Sequence, residues 1–198
     1  YGVDLALALA GLLPALALRE PEREVIAGSA AVRIRRAVRE SAAFILHSPK
    51  ALRLMLCNAA VGAVATMLLY LLQARLPALG LPAGWLGPAL FVLSLSGTLG
   101  VQAARFAEGL GFRSLALLCA GGMFAGAVLA AAPSLPVAFA GGFLAGMLDD
   151  LLDVRSDVVL NEMVPSAQRA TLVSVSSLTF SLVMLAAAPL MGALFGAL

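Results

Sequence analysis

The sequence is poor in charge, in histidine and in cysteine. Only 12% of its 198 residues are charged, against about 25% in a typical soluble domain. It has a single histidine, His47, and two cysteines, Cys57 and Cys119, which lie in apolar runs without metal-ligand spacing. We therefore predict no metal centre and no cofactor, and we do not expect a disulfide framework.

The groups that build most enzyme active sites are scarce as well. The sequence has no histidine cluster, no nucleophile beside a base and no phosphate-binding glycine loop. These are the features from which a catalytic site is recognised. We therefore predict that the chain is not an enzyme, and we predict no nucleic-acid partner.

Apolar residues are what the sequence has in excess. They make up 62% of the chain, and the mean hydropathy is +1.00, which is typical of an all-α polytopic membrane protein. Residues 1–18 are interpreted as the end of a transmembrane helix. Residues 51–198 are interpreted as a five-span bundle, with spans at about 52–76, 85–106, 113–132, 135–160 and 170–198. Because both ends fall in apolar runs, we expect a fragment of a longer protein.

The basic residues are concentrated in one segment. Eight of the 13 lie between the first and second apolar runs: Arg19, Arg23, Arg33, Arg35, Arg36, Arg39, Lys50 and Arg53. Residues 19–50 are therefore interpreted as a basic linker with an amphipathic helix at the membrane surface. Such a helix serves as an orientation anchor, which we favour, or as a lipid or regulatory site.

Among the shorter loops, turns with two basic residues alternate along the chain with turns that have one or none. The turns near Pro82 and Pro133 carry one and no basic residue, whereas those at Gly109 and Pro165 carry two each. By the positive-inside rule, the loops at Arg33, Gly109 and Pro165 are cytoplasmic. We expect an integral protein of a bacterial inner membrane.

Four aspartates interrupt the fourth span: Asp149, Asp150, Asp153 and Asp157. The apolar part before them is too short to cross a hydrocarbon core, which needs about 20 residues. Either the helix stops short, or the acids lie inside the membrane, where an ionisable group indicates function. The alternative for the acids themselves is that the span slides outward and places them in the cytoplasmic interface. We expect Asp149 and Asp150 to lie deep, Asp153 at an intermediate depth, and Asp157 at a gate or at the surface.

Two other spans carry polar stripes at helical spacing. Asn58, Thr66 and Gln73 share a face of the first full span with Gly62, and Ser174, Ser177 and Ser181 share a face of the fifth. Interhelical hydrogen bonding and helix packing are the structural alternatives. The functional interpretation is a wet cavity. It assigns the substrate or proton pathway to Asp149, Asp150, Asp153, Asn58, Thr66, Gln73, Ser174 and Ser177.

Small residues recur four apart in two consecutive spans. Gly122 and Gly126 form one such pair, and Gly142 and Gly146 form another. This spacing lets helix backbones approach each other. We expect both spans to pack closely against neighbouring helices.

Three segments together resemble the C-terminal half of a major facilitator superfamily transporter. The basic linker is similar to that family's central cytoplasmic loop. Residues 104–113 (ARFAEGLGFR) resemble a degenerate copy of its Gly-x-x-x-Asp-Arg-x-Gly-Arg-Arg loop, with Ala104, Gly109 and Phe112 departing from the pattern. Residues 161–174 are similar to the junction between its tenth and eleventh helices. The spans would then correspond to a partial helix six and to helices seven to eleven of twelve.

The resemblance implies secondary active transport of a small organic solute by alternating access. In such a transporter Asp149 and Asp150 would bind a cation or take up a proton. The resemblance also implies that the missing N-terminal helices of the same protein pack against this bundle within the lipid bilayer. A cytoplasmic gate would be formed by Arg105, Glu108, Gly111, Arg113, Asp157 and Arg169. Uptake and efflux fit the pattern equally well.

The alternative function is a membrane-embedded binding or assembly subunit that transports nothing. In that case the acid stripe would pair with a basic helix of a partner protein. A stoichiometric partner and the absence of flux would indicate it, whereas six further spans upstream would indicate a transporter.

Overall fold

The computed structural model describes residues 48–164 and 169–196, and those residues contain helices and turns without a strand. Five helices are long and apolar enough to cross a membrane, which confirms the prediction of an all-helical membrane-embedded chain. The helices are α1 (Pro49–Ala78), α2 (Leu86–Ala104), α3 (Phe112–Ala130), α4 (Leu135–Glu162) and α5 (Arg169–Gly196), with a short 3₁₀ turn, Ala83–Trp85, before α2. The predictions for residues 1–47 and for the loop at 165–168 lie outside the described residues.

Local sequence signals set the ends of α1. The Ser48 hydroxyl accepts a hydrogen bond from the Ala51 N–H at 3.4 Å, and Pro49 occupies the first turn, where its missing N–H is harmless. At the other end the chain turns at Gly80, whose φ of +98° is a conformation that glycine adopts without strain. The chain is thereby redirected into the 3₁₀ turn and α2.

Helix α4 does not stop where its apolar run ends. It has 28 residues, a length of about 42 Å, and it continues without a break through all four aspartates. Asp149 and Asp150 therefore lie near the middle of the helix. The helix therefore does not stop short at the aspartates, which was one of the arrangements left open by the sequence.

Helix α4 is the centre of the bundle, because α1, α2 and α3 all pack on it. Asn58 of α1 contacts Asp153, and Leu72 lies at Gly142, so α1 and α4 are antiparallel. Helix α5 packs mainly on α1. An apolar cluster joins the start of α1, the end of α4 and the start of α5, together with Val164 just after α4: Ala51, Leu54, Met55, Leu160, Val164 and Leu172.

Glycines allow the helices to approach α4 closely. A Cβ at Gly100 of α2 would overlap the Met147 carbonyl oxygen, and a Cβ at Gly126 of α3 would lie 3.0 Å from the Gly141 oxygen. Gly142 and Gly146 similarly leave room for Leu72 and for the Ser96 hydroxyl. The expected close packing of both small-residue pairs is confirmed, and the backbones approach most closely where no side chain separates them.

The outward faces of the helices remain apolar. Exposed large side chains include Phe91 on α2, Phe124 on α3 and Leu185 on α5, which are 65%, 73% and 74% exposed. An apolar exterior on this scale is matched by lipid or by further helices, not by water.

Arg75, in the last turn of α1, contacts the C-terminal end of α3. The sequence did not predict this contact. The Arg75 Nη2 donates hydrogen bonds to the carbonyl oxygens of Ala131, at 2.6 Å, and Ala132, at 3.3 Å. Ala131 is the C-cap of α3, where unpaired carbonyls attract a cation. The guanidinium therefore caps α3 from a neighbouring helix.

Replacing Arg75 by Met should destabilise the bundle, because it leaves these half-buried carbonyls without a charged donor. The expected cost is about 1.5–3 kcal/mol, seen as a lower apparent Tm of the purified protein in detergent. The matched control is Arg53→Met, since Arg53 lies on the same helix and is exposed. Equal Tm losses in the two variants would contradict the capping role.

Candidate functional site

The aspartates of α4 line a cavity between α4, α1 and α5. Its volume is about 420 Å³, within the range of small-molecule sites. Its polar lining comprises Asn58 and Thr66 of α1, the four aspartates of α4, and Ser176, Ser177 and Ser181 of α5. We call it the wide cavity. It brings together most of the residues that the sequence assigned to a substrate or proton pathway.

A second, narrower cavity lies on the other side of the same acids. Its volume is about 150 Å³, and α1, α2 and α4 line it. Thr66, Asp149 and Asp150 belong to both cavities, while Ser94 and Ser96 come from α2. The deep pair of acids therefore stands between the two spaces.

Asp153 is held by a hydrogen bond across the wide cavity. The Asn58 Nδ2 donates to the Asp153 Oδ1 at 2.7 Å. The other polar atom of this amide, Oδ1, is buried and has no hydrogen-bond partner among the described residues. Asn58 thus makes the interhelical bond considered above.

Each deep acid packs against a glycine of a different helix. The Asp149 Oδ1 lies 3.3 Å from the point where a Cβ of Gly62 on α1 would be, and the Phe180 ring of α5 lies at the same distance from that point. The Asp150 carboxylate occupies the space where a Cβ of Gly97 on α2 would be. Asp149 therefore lies against α1 and α5, and Asp150 lies against α2.

Gln73 does not join the site. It is exposed and lines neither cavity. Its angle around α1 matches that of Thr66, but it lies seven residues, about 10 Å, farther along the axis. The stripe was assigned from angle alone, and the cavities do not extend to that depth.

Ser174 is also outside the site. The cavity-facing side of α5 is centred on Val173, Ser177 and Phe180, and Ser174 is turned about 100° from Val173, past its edge. Its exposed hydroxyl donates to the Ala170 carbonyl at 3.1 Å. The packing and back-bonding alternative describes this serine, whereas Ser177 lines the wide cavity as expected.

The predicted gate residues lie at the end of the bundle where α2 and α4 end. Arg105 and Glu108 are exposed in the turn after α2, and the Arg105 guanidinium stacks on Phe106 at 4.7 Å from the ring centroid. Gly111 is the N-cap of α3, and Arg113 and Arg169 are exposed in the first turns of α3 and α5. Asp157 alone among the six lines a cavity.

Sequence reasoning missed the contributions of Gly97, Ser176 and Phe180. Gly97 carries no chemistry of its own, and its role is the space it leaves for Asp150. Ser176 and Phe180 lie at positions i+3 and i+7 from Val173, a helical spacing that marks one face of α5. This spacing could have identified the face. Ser174, Ser177 and Ser181 have the same spacing, however, and they indicated a different one.

Fold and cavities together define a membrane-embedded helical bundle with a polar, acid-lined interior. No protein-family model matches the chain, and no match is found among curated proteins or solved structures.

The packing of Asp150 on Gly97 can be tested by adding a methyl group at the glycine. In Gly97→Ala the Asp150 carboxylate must rotate away, so we expect a loss of about 1–2 kcal/mol in stability. In an Asp150→Ala background the same change should cost less than about 0.5 kcal/mol, because the obstructing group is gone. Apparent Tm values of the four proteins measure this cycle.

Two further glycines on α2 provide the comparison. Gly87→Ala meets no atom within 4 Å and reports the effect of alanine alone. Gly100→Ala meets the backbone of α4, so its cost should be larger and should persist in the Asp150→Ala background. If Asp150→Ala leaves the cost of Gly97→Ala unchanged, the assigned contact is wrong.

Proposed function

We propose that this chain is part of a secondary active transporter that moves a small organic solute by alternating access. The observation that carries the proposal is the wide cavity, a polar space at the middle of α4 within a bundle whose exterior is apolar. Carboxylates at such a depth are costly and are retained for substrate or ion pathways. A midplane site between helices is where secondary transporters bind their solutes.

The resemblance to the major facilitator superfamily supplies the architecture of this proposal. On that basis, α1 to α5 correspond to helices seven to eleven, and the helices upstream in the same protein form the other half. The solute site lies between the halves, in the bacterial inner membrane, with the basic linker on the cytoplasmic side. The order of the helices and of the basic turns supports this assignment.

Protons are the proposed coupling ion, and Asp149 and Asp150 are the proposed carriers. Burial disfavours the charged form of a carboxyl group, so a carboxyl removed from water takes up a proton more readily. Both acids face both cavities, so a proton bound there has access to either space. Asp157 and the exposed charges of the α2–α3 turn and of Arg169 are the proposed gate.

A second candidate function is a binding or assembly subunit without transport activity. It is favoured by α5, which is the least buried of the five helices and exposes Leu178, Leu182 and Leu185 along one side. A partner's helix would cover that side. Purification of a stoichiometric partner, with no flux in proteoliposomes, would select this function.

Asn substitution of both Asp149 and Asp150 should abolish proton-driven transport, because an amide keeps the shape of the acid but cannot bind and release a proton. The whole protein is reconstituted in proteoliposomes, and an imposed pH gradient drives accumulation from a radiolabelled panel of amino acids, sugars, organic acids and amines. At least one solute should accumulate with the wild type. The double variant should lower that accumulation at least about tenfold.

The matched control is Glu162→Gln, because Glu162 is exposed on the same helix and lines neither cavity. It should transport at close to the wild-type rate. Full transport by the double aspartate variant would refute the role of the acids.

A further inference from the structure

The two cavities have walls of a single sign of charge. The wide cavity carries four carboxyl groups, and no Lys, Arg or His of the described residues lines either cavity. The nearest acids are not arranged as a metal site, since no group of three or more described His, Cys, Asp or Glu side chains is placed to hold a metal ion. The negative charge of the cavity walls therefore favours an organic cation as the bound molecule.

The hydrogen bonds of the walls restrict the partner further. Four donor groups of the two cavity walls already make hydrogen bonds within the protein. The Asn58 amide donates to Asp153, Ser181 donates to the Ser177 carbonyl at 2.9 Å, and Ser94 and Ser96 donate to carbonyls of their own helix. Ionised carboxylates only accept hydrogen bonds. The hydroxyls of Thr66, Ser176 and Ser177 also line the wide cavity, and a hydroxyl both donates and accepts. The four ionised carboxylates offer more acceptor sites than these hydroxyls offer donors, so a bound molecule rich in hydrogen-bond donors fits the wall best.

The acceptors lie along a line. Asp149, Asp153 and Asp157 follow one another at intervals of one helical turn, about 6 Å along the axis, so the row spans about 12 Å. The Phe180 ring lies beside Asp149 at one end of the row. An aromatic face attracts an ammonium group. The row thus suits an extended molecule with cationic groups spaced along it.

We propose that the wide cavity binds linear aliphatic polyamines, organic cations that carry several N–H ammonium groups. Each ammonium donates to a carboxylate of the α4 row, and the terminal one also contacts Phe180. The inference rests on the proposed function in one respect, namely that this cavity is the solute site.

Isothermal titration of the full chain in phosphatidylcholine nanodiscs tests the ligand class. The probes are spermidine, tetraethylammonium, sorbitol and succinate, and empty nanodiscs are titrated in parallel. Spermidine should bind at least about tenfold more tightly than the other three, because it alone offers both charge and N–H donors. Equal binding of tetraethylammonium, tighter binding of sorbitol or succinate, or no binding of spermidine would overturn the proposal.

Variants locate the binding. Asp149→Asn and Asp153→Asn should each weaken spermidine binding about tenfold or more, whereas Glu162→Gln should leave it within about twofold. An equal loss in Glu162→Gln would mean that the effect is general surface charge, and the proposal would fail. In the unaltered protein, spermidine should also slow carbodiimide labelling of the four aspartates and not of Glu162. This measurement decides the question even where a variant does not fold.

Flux separates this inference from the proposed function. Spermidine binding without flux of any solute in proteoliposomes would uphold the polyamine site and overturn the transporter. Asp149-dependent flux of a neutral or anionic solute, with no spermidine binding, would uphold the transporter and overturn the polyamine site.

Discussion

A carboxylate in the middle of a membrane helix cannot face hydrocarbon, and much of this bundle follows from that constraint. Asp149 and Asp150 lie near the middle of α4, where a charged group in contact with lipid costs at least about 2.5 kcal/mol. Helix α4 is therefore surrounded by α1, α2 and α3. Its acids face cavities that polar side chains line, while the large apolar side chains point outward.

Close packing around the acids requires glycine. Gly62 and Gly97 leave the space that Asp149 and Asp150 fill, and Gly100 lets α2 approach the α4 backbone directly beside them. A larger side chain at these positions would displace a carboxylate or a whole helix. The two neighbouring acids consequently contact different helices.

The sequence predicted those features that depend on one helix at a time. Hydropathy located all five helices, and the cost of buried charge singled out Asp149 and Asp150. The errors concern relations between helices. Gln73 has the expected angle but the wrong depth, and Ser174 lies past the edge of the face that α5 turns toward α1. Gly97 and Phe180 were missed because their importance depends on what a neighbouring helix places beside them. Helical periodicity gives the angle of a residue, but only packing gives its depth and its neighbours.

The proposed proton carriers and the groups proposed to bind the polyamine are the same carboxylates, and this has a consequence for coupling. A proton on Asp149 removes one negative charge from the wall and turns an acceptor into a donor. Both changes weaken the hold on a cationic, N–H-bearing ligand, so a proton and the proposed polyamine would compete for one site. Competition of this kind favours exchange, in which protons entering from one side release the cation to the other, over joint movement in one direction. On the proposed function, a cavity wall dominated by carboxylates therefore points to an antiporter.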